Sequence, residues 1–109
     1  MENMDYGFRV LTCQQYEMLQ KLNKFDRMEE YLKCGFIHLS PTFDIATKIA
    51  KEKNIADPYF ILKIKLTEME LDGIVIKKEY PQKLKMNWMD SVQFIHIYHP
   101  FIKIDYFEL

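Results

Sequence analysis

The chain has 109 residues, with 15 basic side chains against 16 acidic ones and a formal net charge of -1. That length sets a single domain over 1–109 as the expectation, and the charge balance gives no overall basic footprint for nucleic acid. A hydrophobic share of 49% with 15% aromatics belongs to a chain that folds, and three glycines leave little material for a Gly-rich phosphate loop.

Residues 8–11 (Phe-Arg-Val-Leu) are a short β-prone run. Thr12 then suits a helix N-cap, because its hydroxyl can accept from a free amide of the first turn. Tyr16, Leu19 and Leu22 have helical spacing, and Asn23-Lys24 is expected to end that helix. Arg27 to Lys33 reads as a polar helical turn or loop. Gly35 opens a buried-strand candidate, Phe36-Ile37-His38-Leu39-Ser40, which Pro41 stops. Phe43, Ile45, Ala46, Ile49 and Ala50 predict an amphipathic helix running to about Asn54. Asp57-Pro58 marks the turn out of it.

Tyr59 to Leu66 is the strongest strand signal, apolar at first and then alternating. Asp72-Gly73 reads as a hairpin turn, with a further strand from Ile74 to Glu79. Pro81 to Asp90 is a predicted loop carrying Trp88. Phe94 to Tyr98 is strand-like, and Ile102 to Phe107 alternates as a terminal strand. The expected fold is α+β, a mainly antiparallel sheet with two main helices. No apolar run has the length of a membrane span, and Met1 to Phe8 is too polar for a secretory leader. With no C-x-x-C pair, Cys13 and Cys34 read as reduced thiols of a cytoplasmic protein.

The tripeptide Phe-Ile-His occurs twice, at 36–38 and 94–96. Alternate strand residues share a face, so His38 stands with Phe36 and Ser40, and His96 with Phe94 and Tyr98. Two such strands would line a polar cleft; otherwise the histidines are core residues satisfied by local partners. His96 and His99 would face opposite sides of a continuous strand, so no metal site is expected. Arg9 lies inside an apolar run, which makes it either an outward solvated residue or a clamp for phosphate or carboxylate. Glu79, after Lys77 and Lys78, is either a solvated strand end or a carboxylate aimed into the cleft.

Four blocks occur in order: Phe-Arg-Val-Leu-Thr at 8–12, Gly-Phe-Ile-His-Leu-Ser at 35–40, Glu79, and Phe-Ile-His-Ile-Tyr-His-Pro at 94–100. Over nearly the whole chain this pattern resembles the family catalogued as domain of unknown function 952. Ile95 and His99 stand where that family usually has proline and glycine. Members of the family resemble the ADP-ribosyltransferase fold, which implies a split sheet with a cleft between its halves and NAD as cofactor. The resemblance makes Glu79 and His38 candidate catalytic residues. It makes Arg9, Ser40, His96 and Tyr98 candidate ligand contacts. Lys77-Lys78-Glu79 stands where the acceptor-recognition Glu-x-Glu or Gln-x-Glu of active transferases would be. The expectation is therefore a cleft for NAD, ADP-ribose or a related nucleotide, possessed either by an ADP-ribosyltransferase-like enzyme or by a non-catalytic binding module. A protein-interaction or inhibitor protein, with an apolar patch around Met86 and Trp88, is the third reading. Lys77, Lys78, Lys83 and Lys85 leave RNA as a remote one.

Overall fold

The structure, a computed structural model, describes residues 5–109. Residues 1–4, part of the polar start, lie outside the described residues. The chain runs β1 (Tyr6–Thr12), α1 (Cys13–Leu22), β2 (Lys24–Asp26), α2 (Met28–Cys34), β3 (Ile37–Leu39), α3 (Phe43–Glu52), β4 (Tyr59–Lys65) and α4 (Leu66–Leu71). It continues through β5 (Ile76–Glu79), a 3-10 turn at Trp88–Ser91, β6 (Phe94–Ile97), β7 (Phe101–Lys103), a 3-10 turn at Ile104–Tyr106 and β8 (Phe107–Glu108). This is an α+β domain with antiparallel sheets.

The helices start where side chains satisfy their free amides. The Thr12 hydroxyl accepts from the Gln15 amide at 3.1 Å, and the Gln15 side chain accepts from the Thr12 amide at 3.0 Å. Asn23, in the left-handed region at φ 59°, closes α1. Thr42 caps α3 through the Ile45 amide at 3.1 Å. The small buried Ala46 and Ala50 of α3 then pack with Val10 of β1.

Two expectations about helices are corrected. There are four helices among the described residues, not two main ones, although α1 and α3 are the longest at ten residues each. Residues 66–71 form α4, which buries Leu66 and Met69 one turn apart. Asp72-Gly73 therefore ends a helix rather than turning a hairpin: the Gly73 amide donates back to the Glu70 carbonyl at 3.0 Å, and Gly73 takes φ +91°. The expected terminal strand is broken too. Residues 101–103 pair with β2, residues 104–106 make a 3-10 turn, and β8 pairs with β4.

Two three-stranded sheets carry the fold, in the orders β1-β4-β8 and β3-β6-β5, with a two-stranded β2-β7 ribbon beside them. The sheets meet where β1 touches the end of β3. Phe8 and Ser40 exchange backbone hydrogen bonds of 2.8 and 2.7 Å. Gly7 allows this approach, since a Cβ there would lie 2.9 Å from Leu39 Cδ1. Ile37, Leu39, Ile95, Ile97 and Ile76 send one face of the second sheet into the core with Leu11, Leu62 and Ile64 of the first. The other face of that second sheet carries the polar residues.

Candidate functional site

The register of β3 on β6 sets His38 directly opposite His96. Their neighbours Ile37, Leu39, Ile95 and Ile97 are buried in the core, so both imidazoles stand on the opposite face. Their rings are 5.3 Å apart and nearly perpendicular. Phe36 stacks on His96 at 3.8 Å and meets the His38 ring edge-on at 4.9 Å. The two Phe-Ile-His tripeptides thus build one cluster, because antiparallel pairing brings the same pattern face to face.

Strand β5 adds the acid. Glu79 lies opposite Phe94 and Lys77 opposite His96. Glu79 Oε1 accepts from His96 Nδ1 at 2.8 Å and from the Tyr98 hydroxyl. A carboxylate only accepts, so the His96 proton sits on Nδ1 and its Nε2 carries a lone pair. That Nε2 has no hydrogen-bond partner among the described residues. Among the described residues no side-chain nitrogen or oxygen is both fully buried and without a partner, so this Nε2 keeps a small contact with solvent although His96 is only 2% exposed. The hydrogen bonds from Tyr98 and then His96 outweigh burial and hold the Glu79 pKa below the usual carboxylate range. Burial pushes the His96 pKa down, partly offset by Glu79 and reinforced by the charge of His38, so its neutral form prevails at pH 7. The hydrogen bond to Glu79, with burial and the charge of Glu79, pushes the Tyr98 pKa up to about 12.

A second carboxylate holds His38. Glu30, from the first turn of α2, accepts the His38 amide at 2.7 Å and His38 Nδ1 at 2.9 Å, both on Oε2. Arg9 grips the same carboxylate with two nitrogens at 3.0 and 2.9 Å and donates to the His38 carbonyl at 2.7 Å. Arg27 adds a contact at 3.1 Å. Burial alone would raise the Glu30 pKa, but the hydrogen bonds from His38 and Arg9, with the Arg9 charge, pull it far below the ordinary range. Arg9 is therefore an anion clamp whose anion is the chain's own Glu30.

The expected residues thus converge in part. Arg9, His38, His96, Glu79 and Tyr98 form one continuous string of contacts through Glu30. Ser40 is buried at the join of the sheets and serves there through its backbone. Glu30 was not anticipated: it sits in a stretch that reads as a polar turn, and an acid eight residues before His38 has no motif. Two concavities are lined by neither His38, His96 nor Glu79, although Arg27 borders the first. One of about 300 Å³ runs between α1 and β2, lined by Met18, Leu22 and Phe25 among others. One of about 450 Å³ is walled by Asp72, His99 and Tyr106 among others. The histidine cluster is an accessible face, with the His38 side chain 45% and the Glu79 side chain 36% exposed.

No family model matches the chain, and no curated protein matches it. Among solved structures, the crystal structure of protein CC0527 from Caulobacter crescentus aligns over 95% of this chain and 82% of that one, with a TM-score of 0.60 and 17% identity. A double mutant of the same protein aligns over 93% and 79%, with a TM-score of 0.58 and 19% identity. The likeness is one of fold. It extends over nearly the whole chain.

The chemistry available on this face follows from its own residues. Glu79 is ionised, and its Oε2 has no partner among the described residues, so it can accept from a hydroxyl. His96 offers a neutral Nε2. Lys77 Nζ stands 5.3 Å from the Tyr98 ring, which places a cation beside the acid and the aromatic surface. No described helix is long and apolar enough to cross a membrane.

Proposed function

We propose that this face binds a nucleotide such as NAD or ADP-ribose, and that the protein is an ADP-ribosyltransferase-like enzyme working in the cytoplasm. The observation that carries the reading is Glu79: an ionised carboxylate with one oxygen unpartnered among the described residues, set beside His96, Tyr98 and Lys77. These groups suit a ribose with its phosphate. Glu79 Oε2 accepts from a ribose hydroxyl, Lys77 meets the phosphate charge, and the Tyr98 ring offers an apolar surface to a base. Arg9, already neutralised by Glu30, supports His38 rather than touching phosphate. NAD would supply a glycosidic bond whose cleavage develops positive charge on the sugar. A fixed carboxylate facing that sugar is the group such a reaction needs. The ordered blocks at 8–12, 35–40 and 94–100 and their resemblance to domain of unknown function 952 add support from the sequence.

The test is a thermal-shift titration with NAD, ADP-ribose and AMP, followed by a nicotinamide-release assay. Binding to the folded state alone raises stability by about 2.7 kcal/mol at a hundred times Kd. We expect a shift that Lys77→Ala weakens, and nicotinamide release that Glu79→Gln abolishes while binding survives. Binding without release makes the protein a non-catalytic nucleotide module. No shift with any of the three at millimolar concentration sinks the nucleotide reading. It would favour a protein partner instead, for which the exposed loop residues Leu84 and Met86, 73% and 84% accessible, are the natural contacts.

A further inference from the structure

Each histidine of the cluster is held in the same way. Glu30 takes Nδ1 of His38 at 2.9 Å and Glu79 takes Nδ1 of His96 at 2.8 Å. Both Nδ1 atoms therefore carry the ring proton, and in the neutral rings both Nε2 atoms are lone-pair donors. A carboxylate on Nδ1 fixes the tautomer and ring orientation and stabilises the imidazolium that forms when Nε2 takes a proton. The ring centroids lie 5.3 Å apart on one face of the sheet, a separation that a group of phosphoryl size can bridge. A stacked core histidine requires none of this. Each imidazole has its own carboxylate on Nδ1, and the two rings share one face of the sheet.

We propose that His38 and His96 are a general acid–base pair that hydrolyses a phosphodiester on a ribose, with a nucleoside 2′,3′-cyclic phosphate as the substrate class. The proposal rests on the nucleotide reading of this face but not on NAD. His96 Nε2 takes a proton from water, and the water oxygen bonds to phosphorus. The bond from phosphorus to one ribose oxygen breaks, and that oxygen takes a proton from the His38 imidazolium. The product is a phosphomonoester with one free hydroxyl. His96 ends protonated and His38 neutral, and exchange with solvent resets both. No other reactant is needed.

The division of roles follows from burial. His96 is 2% exposed and stacked under Phe36, which suits a base kept neutral until it acts. His38, with its side chain 45% exposed, is the ring of the pair open to solvent. Lys77, opposite His96 in the register, is placed to neutralise the phosphate. The charged and titratable groups facing the pair are Glu30 and Arg27 from the α2 end, Arg9 of β1, Lys77 and Glu79 of β5, and Tyr98 after β6.

The assay is hydrolysis of adenosine 2′,3′-cyclic phosphate by the full chain across pH 5–9. We expect turnover with a bell-shaped pH profile, since one imidazole must be neutral and the other protonated. His38→Ala, at a half-exposed site, should lose about a hundredfold or more, the usual scale for one acid–base group. His38→Ala with His96→Gln should lose little beyond either alone, because the two act as a unit. His96→Gln is checked by its melting curve; if it fails to fold, the His38 variant and the wild-type pH profile decide. No hydrolysis by the wild type, a sigmoid profile with one limb, or full activity in His38→Ala overturns the proposal. The adenosine cyclic phosphate is also titrated for binding. Binding without hydrolysis refutes the acid–base pair alone, whereas no binding of this or any other nucleotide refutes the nucleotide reading as well.

Discussion

Removing the Glu30 carboxylate, as in Glu30→Ala, strips five hydrogen bonds at once: two from Arg9, one from Arg27, and the amide and Nδ1 of His38. Truncating one member of a buried ion pair costs about 3–5 kcal/mol, because the other charge is left without its partner. The groups left behind here are only partly buried. Their side-chain exposures are 18% for Arg9, 29% for Arg27 and 45% for His38, so water recovers part of the loss. Arg9 also keeps its bond to the His38 carbonyl. The expected cost is about 2–4 kcal/mol, which for a domain of this size lowers Tm by roughly 10–15 °C. Urea unfolding of wild type, Glu30→Ala, Arg9→Ala and the double variant measures it. The double variant should be less destabilised than the sum of the singles by about 1–3 kcal/mol, since the two residues share one interaction. Additivity within about 0.5 kcal/mol, or a Glu30→Ala cost below that figure, would show that Arg9 and Glu30 do not act as a buried pair.

Two further outcomes follow from the same contacts. Gly7→Ala puts a methyl group 2.9 Å from Leu39 Cδ1 and 3.3 Å from its Cβ, at a leucine only 1% exposed, and should cost about 1–3 kcal/mol in urea unfolding; an unchanged midpoint would mean that the join between the sheets yields freely. Stability should also depend on pH with a definite sign. The folded-state pKa of His96 lies below the ordinary 6.5, so the unfolded chain binds the proton first, and stability declines as pH falls below about 6.5. Glu79 and Glu30, both lowered, extend the loss through the carboxylate range below pH 4.5. Tyr98, raised to about 12, adds stability below pH 10 that is lost as pH rises beyond it. Urea midpoints from pH 5 to 7.5 check the acid limb. A flat line there, or a slope unchanged by His96→Gln, contradicts the assignment to His96.

Much of this arrangement was readable from local chemistry. Thr12 announces α1 because a hydroxyl before a periodic apolar run meets free amides, and the alternation around His38 and His96 places both on one face. What the sequence left open was pairing. Nothing in Phe-Ile-His repeated 58 positions apart states that the two copies lie opposite each other; that is decided by the β3-β6 register. Helix α4 escaped because Leu66-Thr67-Glu68-Met69-Glu70-Leu71 follows a strand without a glycine, proline or capping side chain, and its Leu66–Met69 spacing is too short a signal. Strand β2, Lys24 to Asp26, is three residues long and exists through its pairing with β7. Arg9 was open between solvent and an anion, and the deciding partner, Glu30, is a long-range contact.

The two carboxylates of the cluster have different work. Glu30 is 11% exposed and shared among Arg9, Arg27 and His38, so its charge is neutralised and its lone pairs are occupied. A ligand finds nothing to bond there, and the residue fixes where His38 points. Glu79 is more open and spends one oxygen on both His96 and Tyr98, leaving the other oxygen without a partner among the described residues. Among the described residues no arginine pairs with it, and Lys77, two residues earlier on the strand, acts on it by charge while standing 5.3 Å from the Tyr98 ring. The same asymmetry gives the chemistry a direction. The Glu30 side is rigid and closed, while the Glu79 side offers a free oxygen, a neutral imidazole nitrogen and a cation to whatever docks, so ligand contacts belong on β5 and β6 and support belongs on β1 and α2.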